Sequence, residues 1–230
     1  MTANVTPVLL TRPAAQAQDF AAQVTARFGA AARCVISPVL ELVTLTPKID
    51  FAAFSGLVFT SQNGVTAYRQ LGGPRGLPAY CVGDKTARAA QEAGLDARSA
   101  GGDITALNSL LAQTPGLGPL LQPSGVHVAG QVAGGVTRVP VYDQRPVDLS
   151  PQARDILRQP GRVLAPVFSP RSASVLQAAL PVESRAEIHA ICLSQAVHDA
   201  IDANRFGHIS LTNGPTAAAM LDKMAEFFPS

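Results

Sequence analysis

Several apolar runs of this chain end in small hydroxylic or flexible residues and then open into helical sequence. Phe59-Thr60-Ser61-Gln62-Asn63-Gly64 closes Leu57-Val58-Phe59, and Phe168-Ser169-Pro170-Arg171-Ser172-Ala173 closes the run containing Val163-Leu164 and Val167-Phe168. A second matched pair follows: Tyr80-Cys81-Val82-Gly83-Asp84-Lys85-Thr86-Ala87 and Ala190-Ile191-Cys192-Leu193-Ser194-Gln195-Ala196-Val197. Thr11 and Arg12 end the first run, and Thr212-Asn213-Gly214-Pro215-Thr216 ends the last. Such junctions suit anions, because the first amides of a helix lack partners and its N-terminus carries partial positive charge. Taken singly, each set also reads as plain N-capping by Ser, Thr, Asn or Asp. Taken together, on strand ends of both halves, they read as a cleft that receives an anionic small molecule. The residues so singled out are Arg12, Thr60, Ser61, Asn63, Gly64, Gly83, Thr86, Ser169, Arg171, Ser172, Ser194 and Thr216.

Other chemistries are poorly served. Gly130-Gln131-Val132-Ala133-Gly134-Gly135 has the wrong spacing for a dinucleotide loop, and there is no Walker-type lysine loop. No Gly-x-Ser-x-Gly elbow occurs, and isolated acids such as Glu41 or Asp143 do not make a glycosidase pair. Cys34, Cys81 and Cys192 each lie in an apolar run without a neighbour at metal-ligand spacing and read as core residues. His127, His189, His198 and His208 form no ligand pattern either, and read as structural or surface histidines. Any catalysis must therefore rest on shape, backbone donors and a phenol.

The elements that position these residues follow from the hydrophobic pattern. Short apolar runs alternate with helical segments, the signature of parallel strands with crossover helices, so the class is α/β. Strands are expected at 8–10, 34–36, 57–59, 79–82, 95–98, at Val126-His127-Val128, from Val136 to Tyr142, and at 163–168, 187–192 and 208–211. Helices are expected from Pro13 to Phe28 and near 63–71, 85–93, 104–113, 171–179, 195–203 and 215–228.

The matched pairs mean two similar domains with the ligand between them, since the repeat is far longer than the roughly 20–50 residues of a solenoid unit. A third matched pair, Ile36 to Glu41 and Arg138 to Asp143, is extended chain around a proline. It extends into two connectors, 38–46 and 139–147. If both cross between domains, residues 1–37 and 148–230 form one discontinuous domain and 47–138 the other. A contiguous split near residue 118 is the competing parse.

Composition fits packed globular domains: of 230 residues, 47% are hydrophobic and 15% charged. The net charge of +2 comes from fifteen arginines and three lysines without a basic run, which argues against a nucleic-acid partner and suits a small anion. Met1-Thr2-Ala3-Asn4-Val5 shows no targeting pattern and no run is long enough to span a membrane, so a cytoplasmic location is expected.

Leu9-Leu10-Thr11-Arg12-Pro13, Phe59-Thr60-Ser61-Gln62-Asn63-Gly64-Val65, Val82-Gly83-Asp84-Lys85-Thr86-Ala87, Pro140-Val141-Tyr142, Phe168-Ser169-Pro170-Arg171-Ser172-Ala173 and Gly214-Pro215-Thr216 follow one another in the order seen in uroporphyrinogen-III synthase. The chain resembles that family over nearly its whole length. The resemblance implies a cofactor-independent lyase of porphyrin (haem) biosynthesis that closes the linear tetrapyrrole hydroxymethylbilane into uroporphyrinogen III, with inversion of the fourth ring and loss of water. It implies two α/β domains with parallel sheets flanked by helices, joined by a two-stranded extended connector, the first βαβ unit packing with the C-terminal third. It makes Tyr142 the catalytic residue that assists departure of the hydroxyl, and the strand-end residues above the receptors of the substrate carboxylates. It further implies a monomer in transient contact with the preceding enzyme.

The chain departs from the family pattern in one segment. An Arg-Gly pair and a full helix are expected before the connector tyrosine, whereas Val126 to Gly135 is too short for that helix and Ala129 stands at the arginine's place. That departure keeps an alternative open, a non-catalytic tetrapyrrole-binding or regulatory module of the same fold.

Overall fold

A computed structural model describes residues 5–128 and 130–228. The sequence readings at Met1–Asn4 and at Ala129 lie outside the described residues. The strands, in chain order, are β1 (Thr6–Leu10), β2 (Ala32–Ile36), β3 (Leu40–Thr44), β4 (Gly56–Phe59), β5 (Pro78–Cys81), β6 (Asp96–Ser99), β7 (Leu120–Gly125), β8 (Val136–Pro146), β9 (Gly161–Val167), β10 (Ala186–Cys192) and β11 (His208–Leu211). The helices are α1 (Ala14–Phe28), α2 (Gln62–Gln70), α3 (Asp84–Glu92), α4 (Ile104–Gln113), α5 (Pro151–Arg158), α6 (Pro170–Ala179), α7 (Gln195–His198) and α8 (Ala217–Ala225). The class is the expected α/β, with two mostly parallel sheets flanked by helices.

The chain divides into two compact units, one comprising residues up to Glu41 and from Arg145 onward, the other Leu42–Gln144. The first unit holds a five-stranded sheet in the order β11-β10-β9-β1-β2, with every recorded pairing parallel. Its first βαβ unit thus shares a sheet with the last third of the chain. Both faces are covered, which is why β1 and β9 are near-continuous apolar runs instead of alternating ones. One face buries Leu9, Val35, Ile156, Leu157, Val163 and Leu176, and the other Val8, Leu10, Phe20, Val24, Ile191 and Met220. Each fully buried Leu, Ile or Phe contributes about 1.5–3 kcal/mol.

In the second sheet the order is β3-β8-β7-β4-β5-β6, and β4 through β8 pair in parallel. Leu57, Phe59, Val65, Tyr68 and Leu121 fill one side of it, and Val58, Tyr80, Leu107 and Leu111 the other. The unit boundaries fall inside β3 and β8, so the chain leaves each unit along an extended strand.

Three expectations need correction. The strand expected at Val126-His127-Val128 lies earlier, at Leu120–Gly125, and those three residues follow its end. Gln122, Pro123 and Ser124 disguise it, since polar residues and proline argue against a central strand. They are tolerated because β7 is paired with β4 only at Leu120 and Leu121, so Pro123, lacking an N–H, stands beyond the end of that ladder. Helix α5 was not expected at all, although Ser150 caps it through Ala153 N at 3.2 Å and Pro151 opens it, a common start for a helix. The helix expected over 195–203 stops at His198, and the chain then turns into a short 3₁₀ segment at Ala203–Arg205.

The three cysteines are free thiols in β2, β5 and β10. Burial pushes Cys81 up to about 12 and Cys192 to about 11, so neither is a nucleophile at neutral pH. No helix among the described residues is long and apolar enough to cross a membrane. Among the same residues, no group of three or more His, Cys, Asp or Glu could hold a metal ion.

Candidate functional site

The carboxyl ends of β4, β5 and β7 face a cavity of about 300 Å³ in the second unit, lined by Thr60, Ser61, Val82, His127 and Tyr142 among others. Parallel strands all end on one edge of their sheet, so the segments following them converge there. Ser61 caps α2 by accepting a hydrogen bond from Asn63 N at 3.0 Å. The same oxygen accepts from the Tyr142 hydroxyl at 3.3 Å. With two donors aimed at it, the Ser61 oxygen keeps its own proton to donate elsewhere.

Tyr142 is fixed on three sides. Its ring is buried with Ala67 and Val141, and its backbone carbonyl accepts from Val126 N at 3.0 Å. Its ring also lies across Gly125, where an added Cβ would fall 2.8 Å from Cε2 and 2.9 Å from Cζ. A shift in register sets this contact: Ser124 pairs with Pro140, yet Gly125 pairs with Tyr142, leaving Val141 as an extra residue of β8. Such a bulge re-aims the side chain that follows it.

Arg138 braces the same corner. Its Nε donates to Ser124 Oγ at 3.0 Å, and its Nη2 donates to the carbonyls of Gly125 at 2.9 Å and Val126 at 2.8 Å. Three bonds from one guanidinium hold the segment that leaves β7. His127 comes next in the chain, half-exposed, with Nε2 at 3.7 Å from Asp143 Oδ1.

Gly64 serves packing. A Cβ there would lie 2.6 Å from the Pro123 carbonyl, so the first turn of α2 presses directly onto the backbone of β7. Thr86 is likewise buried, in the first turn of α3, whereas Gly83 is that helix's extended N-cap beside the cavity-lining Val82.

The first unit has its own set of strand-end groups. The Arg12 guanidinium, following β1, lies 4.0 Å from the Phe168 ring centroid at the end of neighbouring β9 and donates to Gln16 Oε1 at 3.2 Å. Burial draws its pKa below the ordinary arginine value, partly countered by Asp19, and it remains a cation. Ser169 caps α6, accepting from Ser172 N at 3.1 Å while its hydroxyl donates to Ser172 Oγ at 2.8 Å. Arg171 follows in the first turn of α6. Thr216 caps α8 through Ala219 N at 3.1 Å and is exposed. Ser194 precedes the four-residue α7 without a side-chain cap bond.

The structure thus gathers Thr60, Ser61 and Tyr142 at one cavity, and Arg12 with Ser169 at two adjacent strand ends. Sequence reasoning did not single out Arg138, Gly125, His127 or Asp143 as site residues. The signal available was the apolar-then-polar run ending at Ser124-Gly125, which marks the true end of β7.

Residues 19–222 match the family model described as uroporphyrinogen-III synthase HemD. No curated protein matches the chain by sequence. Among solved structures, that of uroporphyrinogen-III synthetase from Helicobacter pylori superposes with a TM-score of 0.69 over 97% of this chain and 99% of that one, at 14% identity, a likeness of fold. With the family model spanning the phenol-bearing cavity and most of both units, the chain belongs to the uroporphyrinogen-III synthase family, the enzymes that cyclise hydroxymethylbilane in haem biosynthesis.

Proposed function

We propose that the protein closes hydroxymethylbilane to uroporphyrinogen III with Tyr142 assisting departure of the hydroxyl. The supporting observation is the Tyr142 phenol at the cavity, held by Ser61, Gly125 and Val126 and surrounded by strand ends that lead into helix N-termini. The substrate carries eight carboxylates, and each helix N-terminus that meets one contributes about 0.3–1 kcal/mol. Ser61, Thr60 and Gly83 in one unit, and Arg12, Ser169, Arg171, Ser172, Ser194 and Thr216 in the other, are the groups that receive them. Asn63, Gly64 and Thr86 shape the first turns of α2 and α3. Much of the catalysis is conformational: the bilane must be held so that its fourth ring attacks through the substituted carbon and inverts, in preference to direct closure to the type I isomer. The protein acts as a cytoplasmic monomer that takes its labile substrate from the enzyme that makes it.

The test is an isomer assay on freshly made hydroxymethylbilane, with the products oxidised and separated. The expected result is the type III isomer, with turnover lowered by about 10²–10⁴-fold in Tyr142→Phe, the usual worth of a group that assists a proton transfer to the leaving oxygen. Only type I product at the spontaneous rate would overturn the proposal. Wild-type turnover in Tyr142→Phe would remove the phenol from the mechanism.

A further inference from the structure

His127 lines the same cavity as Tyr142, Ser61 and Thr60. Its neighbourhood is built, since Arg138 grips the carbonyls of the two preceding residues and Val126 N is bonded to Tyr142 O. The adjoining strand residue, Asp143, presents Oδ1 at 3.7 Å from His127 Nε2. A carboxylate at that distance sets which ring nitrogen faces it. The other nitrogen, Nδ1, then carries a proton that is not committed to Asp143. An imidazolium is a far stronger acid than a phenol, and half of this ring is open to solvent, from which it can be reprotonated.

We propose that His127 is a second catalytic residue, the proton donor to the departing hydroxyl, with Asp143 as its positioning residue. This rests on the cyclase reading above and names a further group within it. In the step, the bond between the hydroxymethyl carbon and its oxygen breaks. The oxygen leaves with the bonding pair and the His127 proton as water, and the pyrrole nitrogen lone pair fills the electron-deficient carbon. When the macrocycle closes, the free α-carbon of the fourth ring loses its proton, and the neutral imidazole takes it up. Protons and charge balance over the cycle. Tyr142, whose hydroxyl donates to Ser61, then serves to orient the leaving oxygen.

Ionisable groups facing the ring come from β8: the Asp143 carboxylate, the Tyr142 phenol, and the Arg138 guanidinium two carbonyls away. The segment Thr60-Ser61 and Ile104 of α4 contribute none.

The experiment measures type III product formation against pH for wild type, His127→Gln and Asp143→Asn, with melting temperatures for each. Wild type is expected to lose turnover on the alkaline side as the imidazole loses its proton. His127→Gln is expected to be at least about tenfold slower, with that alkaline limb gone and the melting temperature unchanged. Asp143→Asn is expected to slow type III formation while the alkaline limb stays, and nuclear magnetic resonance of the resting protein should show the His127 ring losing its single orientation. If wild type makes type III product and His127→Gln keeps both its rate and its alkaline limb, the proposal is overturned while the cyclase reading stands. If wild type makes only type I product, both fall.

Discussion

Gly125 and Tyr142 lie so close that a single methyl group at position 125 would overlap the aromatic ring, 2.8 Å from Cε2 and 3.1 Å from the hydroxyl oxygen. The absent side chain is the seat of the phenol. Gly125→Ala should therefore displace Tyr142, lowering stability by about 1–3 kcal/mol as overpacking does and lowering turnover with it. Gly125→Ala combined with Tyr142→Ala should cost less stability than the two single losses added together, and recover none of the activity. Additive losses in that double-mutant cycle would refute the contact.

Arg138 ties three acceptors with one side chain, and Arg138→Met keeps its aliphatic stem while removing all three bonds. The expected loss is about 1–3 kcal/mol, since one side of the guanidinium faces water. The decisive readout is local: hydrogen exchange at the Val126 amide, which bonds the Tyr142 carbonyl, should accelerate while amides of β9 and β10 keep their protection. Equal protection at Val126 in both proteins would mean the segment holds itself.

Ser61 and Ser169 both cap helices, and only Ser61 also accepts from Tyr142. Each alanine substitution should cost about 0.5–2 kcal/mol of stability from the lost cap. Beyond that common loss, Ser61→Ala should lower kcat by freeing the phenol from its partner, and Ser169→Ala should only weaken substrate binding. Thermal melts paired with kcat and KM separate the two, and identical kinetic signatures would contradict the assignment.

His189 sits buried in β10 with its ring 5.3 Å from that of His208 and its Nε2 3.2 Å from Ser210 Oγ. Burial lowers its pKa, and His208 and Arg162 push it the same way. The unfolded chain therefore takes up the proton at a higher pH than the folded one. Stability is present in full above the ordinary histidine range and falls as pH drops from about 6.5 toward the depressed folded value. Melting temperatures of wild type and His189→Gln between pH 5 and 8 should show a steeper acid decline in wild type. Parallel curves would assign that decline to other groups.

The pattern of apolar runs and hydroxylic strand ends carried most of the fold, because parallel strands buried on both faces must be apolar and their crossover helices must be capped. Ser61, Ser169 and Thr216 were legible for that reason, each accepting a bond from the first turn of its helix. Helix α5 was missed because its apolar face is only Ala153, Ile156 and Leu157, too short for periodicity to declare itself. Strand β7 was displaced because Gln122, Pro123 and Ser124 are buried for the sake of neighbours remote in sequence, Arg138 and the first turn of α2. Gly64 read as a ligand contact, and its reason for being glycine is the Pro123 carbonyl, a constraint that no local pattern reveals.

The extra residue in β8 bears on how the site is written into the chain. Pro140 is level with Ser124 and Tyr142 with Gly125, so Val141 has no counterpart on β7. Side chains alternate along a strand, and removing one residue between Pro140 and Tyr142 would restore an even ladder and turn the tyrosine to the opposite face. The phenol's address is thus a matter of counting. Val141 is fully buried beside the ring, so its bulk helps seat the phenol and its place in the count aims it; a single-codon deletion there would turn the tyrosine from a cavity whose other lining comes from other segments.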